Sequence, residues 1–129
     1  CLACHKFGYG GGLTGPDLTK IGSIRQERDL LESILYPSLS FVRSYEPVTI
    51  TTRGGQTIQG VKKNEDLTSV QIMDGRERIQ GYLRSDVRSV EDGKRSAMPA
   101  FGPDRLNESD LNDILSYLAS LRGFDTSVK

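Results

Sequence analysis

The hydrophobic period of this sequence changes twice along the chain, and that change most narrows what it can fold into. Between Ile24 and Tyr36, the apolar residues Ile24, Leu30, Leu31, Ile34 and Leu35 form a stripe at near-helical spacing that Pro37 closes. From Tyr45 to Glu91 the period falls to two, with β-branched residues and repeated turn signals. Val48, Ile50 and Thr52 share one face of a first strand that ends at Arg53-Gly54-Gly55. Thr57–Lys62, Leu67–Met73, Glu77–Leu83 and Val87–Glu91 follow, with Lys63-Asn64-Glu65-Asp66 and the hairpin signal Asp74-Gly75 between them. After a loop from Asp92 to Pro103, Asn107 or Ser109 can cap a last helix reaching about Arg122, with Gly123 as its stop. Its buried stripe is Leu111, Ile114, Leu115, Leu118 and Leu121, with Tyr117 beside it. The pattern predicts an α+β chain in which five short strands, able to curl into a small barrel, interrupt a helical frame. The glycine-rich residues 6–23 are expected to be loop, and 38–44 a linker or short helical turn.

The chemistry is concentrated at the start. Residues 1–5 read Cys-Leu-Ala-Cys-His, and the chain has no other Cys or His. C-x-x-C-H is the attachment motif of a c-type haem. Two thiols three positions apart can each add across a vinyl group, and the next residue brings an imidazole beneath the iron. The same residues admit a short disulfide, a thioredoxin-like pair or half a zinc site. A closed zinc site needs four ligands, which this chain lacks among Cys and His. A thioredoxin-type pair follows a strand and opens a helix, whereas here a glycine run follows. The 17 basic and 17 acidic residues balance, which gives no reason to expect nucleic acid or an anionic membrane as partner. No apolar run reaches the length of a membrane span. Haem attachment to such motifs occurs outside the cytoplasm. An exported, periplasmic protein is therefore expected, either with its leader removed or as an excised piece. A lipid-modified Cys1 is the lesser alternative, because acylation consumes the thiol.

Taking residues 45–91 out of the sequence brings His5 and Met98 to about half their separation. What then remains is the haem motif, a glycine-rich loop, Gly15-Pro16-Asp17-Leu18, a helix, Ala97-Met98-Pro99 and an amphipathic helix with Tyr117-Leu118. That order resembles a class I cytochrome c, over residues 1–44 and 92–129. The resemblance implies thioether bonds at Cys1 and Cys4, His5 as proximal ligand and Met98 as distal ligand of one haem c. It implies that the Pro16 carbonyl accepts from the His5 ring, which fixes the tautomer, and that Leu18 packs on the haem. Met73, in strand-like sequence with no proline beside it, is expected only to fill core. The family's helix before the motif has no counterpart in these residues. Hence the stripe at Tyr117 and Leu121 is expected to be covered by the β segment or by a partner, or the chain to be a fragment.

The 45–91 segment resembles small Sm-like or SH3-like barrels. A cytochrome c core split in this way is similar to the haem-binding domain at the C-terminal end of large planctomycete-type secreted proteins, which often carry dehydrogenase-like regions. The implied fold is a mainly helical core interrupted by a five-stranded antiparallel barrel-like insertion. With protein ligands on both sides of the iron, electron transfer is expected rather than catalysis. The only His is already used, and no other general base stands out. The implied partners are a redox protein, such as an attached or docked dehydrogenase, and a downstream acceptor. Lys94 and Arg95 could rim the docking surface. Two other readings stay open: an interaction module built on the β segment, and a ligand-sensing or peroxidase haem with a weak Met98 bond.

Overall fold

The computed structural model describes residues 1–123, so the last six residues of the expected haem-binding core lie outside it. The chain is α+β and divides into two compact units. One comprises Cys1–Leu39 with the described residues from Met98 onward, and the other is Ser40–Ala97. The divisions fall in the linker before the first long strand and in the loop after the last.

In the first unit, β1 (Lys6–Phe7) and β2 (Gly10–Gly11) form a short antiparallel hairpin. A single helical turn, α1 (Ile21–Ile24), precedes α2 (Glu27–Leu35), and α3 (Glu108–Ser120) closes the unit. Residues 6–23 are thus more ordered than the loop their glycines suggest. The helix expected from Ile24 instead starts three residues later. Arg25 is extended, and the Asp29 carboxylate accepts from the Gln26 N–H at 3.3 Å to open α2. Ile24 therefore leaves the buried stripe and is 67% exposed. Asn107 caps α3 as expected, its side-chain oxygen accepting from the Asp110 N–H at 2.8 Å. The helix stops at Ser120, two residues short of the reading from sequence.

Leu30 and Ile34 of α2 are buried with Leu115 and Leu118 of α3 in one apolar cluster. Backbone bonds fasten its ends: Phe101 N–H to the Ile34 carbonyl at 3.0 Å, and Gly22 N–H to the Leu121 carbonyl at 2.7 Å. The expectation of a mainly helical core is corrected here. Helices of 4, 9 and 13 residues leave most of this unit as loop and hairpin, because its glycines and prolines interrupt helix everywhere else.

The second unit is a five-stranded antiparallel sheet: β3 (Glu46–Thr52), β4 (Thr57–Glu65), β5 (Ser69–Met73), β6 (Ile79–Leu83) and β7 (Val87–Asp92). Their spatial order is β6-β5-β4-β3-β7. Gly55, at φ +87°, makes the β3–β4 turn that the paired glycines predicted. Alternation buries Val48, Ile50, Val70, Ile72 and Val87 together. Residues 63–65, read as a turn, instead continue β4 past a register shift between Lys62 and Asn64.

The sheet is not closed into a barrel, which corrects the second part of the expected fold. β6 and β7 are joined by one 3-10 turn, Arg84–Asp86, yet they occupy opposite ends of the strand order with no ladder between them. Closure would need the outer edge of β7 to bond the outer edge of β6; β7 pairs only with β3, with a register shift between Thr51 and Thr52, and its other edge stays open.

Two aspartates hold the turns of the β4–β5–β6 meander. Asp66 Oδ1 accepts from the backbone N–H of Thr68 and of Ser69, each at 2.8 Å. Asp74 Oδ1 accepts from the N–H of Arg76 at 2.9 Å and of Arg78 at 3.0 Å. These bonds favour the charged form. They pull both carboxyls below their ordinary 3.8, the Thr68 N–H having the largest effect on Asp66 and the Arg78 N–H on Asp74. Because the folded values lie below the unfolded ones, the stabilisation is complete above the ordinary value and fades as pH falls through the depressed one. Thermal melts between about pH 5 and 2 should show stability dropping with acid, and Asp66→Asn should flatten that drop.

Candidate functional site

Residues 1–5 fold as a tight, helix-like turn. The Cys1 carbonyl accepts from Cys4 N–H at 3.0 Å and from His5 N–H at 2.8 Å. This i,i+3 and i,i+4 geometry places residues 1, 4 and 5 on one side of the turn. Both thiols are free and exposed. The following loop is laced back onto the turn by Gly12 N–H to the Leu2 carbonyl at 2.9 Å and Gly15 N–H to the Cys4 carbonyl at 2.7 Å.

His5 Nδ1 lies 2.7 Å from the Pro16 carbonyl oxygen. A carbonyl only accepts, so the proton sits on Nδ1, and in the neutral ring Nε2 keeps its lone pair for another partner. This is the contact that the cytochrome resemblance implies for these two residues. Two backbone bonds bracket Pro16, from Gly15 as above and from Leu18 N–H to the Lys6 carbonyl at 2.9 Å. A proline offers no N–H of its own, so its neighbours must hold it.

Gly15 lies flat against the imidazole. A Cβ at this position would stand 2.7 Å from His5 Cε1 and 2.8 Å from Nδ1, closer than real Cβ contacts come. Gly15→Ala is expected to push the ring off Pro16 and to cost about 1–3 kcal/mol of stability, as overpacking does. Gly10, whose Cβ would meet nothing within 4 Å, supplies the control. Denaturant unfolding of Gly10→Ala should stay within about 0.5 kcal/mol of the parent.

Thr19 is a tie that the sequence reading passed over. Its hydroxyl accepts from Gly8 N–H at 2.8 Å and donates to Asp17 Oδ1 at 2.6 Å, and its carbonyl accepts from Gly123 N–H at 2.9 Å. One residue thus joins the β1–β2 hairpin, the Pro16 loop and the segment after α3. The Thr19 hydroxyl and backbone N–H also hold the Asp17 carboxyl below its ordinary value. Asp followed two places on by Thr is the local signal for such a turn.

Leu18 and Met98 pack on the same α2–α3 cluster, Met98 half-buried. Pro16 and Leu18 stand two residues apart, so the loop that fixes the His5 ring also reaches the apolar cluster that Met98 touches. Phe7 and Tyr117 meet with ring centroids 6.1 Å apart, and Tyr117 remains 55% exposed at a cleft shared with Leu121. Lys94 and Arg95 are exposed and belong to the second unit. Among the described residues, no group of three or more His, Cys, Asp or Glu could hold a metal ion, and no helix is long and apolar enough to cross a membrane. A scan of protein-family models and a search of curated proteins match nothing to this sequence.

Proposed function

We propose that this chain is a one-electron carrier of the class I cytochrome c type, holding one haem c through thioethers at Cys1 and Cys4. The observation that carries this reading is the 2.7 Å bond from His5 Nδ1 to the Pro16 carbonyl, in a turn that also presents two free thiols. The donor set fits the group: two accessible thiols, an imidazole with its Nε2 lone pair available, and a thioether beside an apolar cluster. The glycine at position 15 leaves the ring's flank clear of side chain. When bound, the haem supplies a reversible one-electron couple.

The chain's own residues set the terms of that couple. The Pro16 carbonyl accepts a hydrogen bond from the His5 Nδ1–H, which orients the imidazole and leaves Nε2 as the free lone-pair donor. Met98 would supply a soft thioether donor to the iron, which would favour the reduced state. Leu18 and Met98 pack against the Leu30, Ile34, Leu115 and Leu118 cluster, so a haem beside them would meet apolar surface. With His5 and Met98 both held by the iron, no position would remain for a substrate, which would favour electron transfer over catalysis. In this reading the chain is exported, takes electrons from an attached or docked dehydrogenase and passes them to an acceptor.

Cys1→Ser with Cys4→Ser, produced beside haem-maturation machinery, tests the attachment. The parent should keep its haem through denaturing electrophoresis and the double variant should lose it completely. Equal haem retention in both would defeat the proposal.

A further inference from the structure

The open sheet leaves β6 as an edge strand, and between its flanking Arg78 and Arg84 this edge has none of the usual protection. Natural edges carry charges, prolines or bulges that discourage pairing with another chain. β7, the opposite edge, carries Arg88, Glu91 and Asp92 and faces a register shift in β3. β6 reads Ile-Gln-Gly-Tyr-Leu, with no charge, no proline and an unbroken register to β5.

The hydrogen-bond parity of β6 follows from its ends. Asp74 N–H bonds the Arg78 carbonyl at 3.0 Å, and Arg84 N–H bonds the Thr68 carbonyl at 2.8 Å. In the continuous register between them, Gln80 and Tyr82 also turn their backbone groups toward β5. Ile79, Gly81 and Leu83 therefore aim their N–H and C=O groups outward.

Their side chains share one face, where Ile79 is 66% and Leu83 is 57% exposed. A Cβ at Gly81 would meet only Gln71 Cγ, at 3.9 Å, so nothing within the chain demands glycine there. Glycine inside a strand weakens it and often marks the close approach of another backbone.

We infer that β6 is a self-pairing edge, joining antiparallel to β6 of a second copy about a two-fold axis at Gly81. In that register Gly81 faces its own mate, and Ile79 of each copy faces Leu83 of the other. All three outward-facing residues then exchange hydrogen bonds, as the parity requires, and both exposed apolar residues find a cross-strand partner. Arg78 and Arg84 come opposite one another. Each already has an acid in its own chain, Asp74 at 3.2 Å and Glu65 at 2.9 Å. A five-residue edge buries less than the roughly 1,200 Å² of a standard interface, so the dimer is weak and concentration-dependent.

Sedimentation equilibrium of the full chain, up to about millimolar concentration, tests the pairing. The parent should show a monomer–dimer equilibrium. Ile79→Lys with Leu83→Lys should raise the dissociation constant at least about tenfold, since like charges then face each other. Ile79→Lys with Leu83→Glu should restore the dimer, because each new cation then faces the new anion of the other copy. Far-UV circular dichroism confirms that each variant stays folded. A parent that is monomeric throughout, oligomers larger than two, or a dimer indifferent to the charge pattern would overturn the inference. So would a monomer that instead captures an extended peptide along β6. None of these readouts depends on haem.

Discussion

Met98→Ala in the haem-loaded chain is expected to open the distal side and lower the midpoint potential. Axial ligands set haem potentials over roughly 0.8 V, and loss of a thioether removes a donor that favours the reduced state. The fall should be a sizeable part of that span. Carbon monoxide, excluded from the reduced parent, should bind the reduced variant readily. Met98 is half-buried on the α2–α3 cluster, so its truncation should also cost some stability, about 2 kcal/mol, at the low end for a core methionine. Spectrum and potential separate ligand loss from packing loss. An unchanged spectrum, potential and carbon monoxide response would move the sixth ligand elsewhere.

Met73→Ala is expected to do the reverse. Met73 closes β5, opposite Val61 on one side and Ile79 on the other, and is 5% exposed. Removing it leaves a cavity in the sheet unit, and methionine-to-alanine changes in cores cost about 2–5 kcal/mol. Denaturant unfolding should report that loss, while the haem spectrum and potential stay at the parent's values. The two methionines thus make a paired test, one of chemistry and one of packing. A potential shift in Met73→Ala comparable to that in Met98→Ala would break the distinction.

Much of the fold was legible because the period of the apolar residues changes so plainly. Val48, Ile50, Val70 and Ile72 announce strands by alternation, and Leu115 and Leu118 announce α3 by helical spacing. What the sequence hid were choices settled by local hydrogen bonding and by non-local pairing. Ile24 fits the stripe of α2, yet Arg25 turns extended and the Gln26–Asp29 bond starts the helix anew. Lys63 to Glu65 look like a turn, but the bond-rich Asp66 moves that turn downstream. Closure of the sheet depended on whether the free edges of β6 and β7 would meet, and strand patterning carries no such information.

The candidate site shows the same division. Cys1, Cys4 and His5 stand out by residue type and spacing, and Met98 only through the cytochrome c resemblance. The flat contact of Gly15 on the imidazole needs the folded loop before it has meaning, because any of six glycines between residues 8 and 22 could have made it. Thr19 was legible only as part of an Asp-x-Thr turn, for a related reason. Its value lies in joining segments more than a hundred residues apart in the chain, Gly8 through its hydroxyl and Gly123 through its carbonyl.

The most direct test of the central claim is the absorption spectrum of the reduced full chain, made with haem-maturation machinery, before and after carbon monoxide. The account predicts a covalently bound, low-spin c-type spectrum that carbon monoxide leaves unchanged. A folded chain that acquires no haem, or one whose reduced spectrum shifts readily with carbon monoxide, would contradict it.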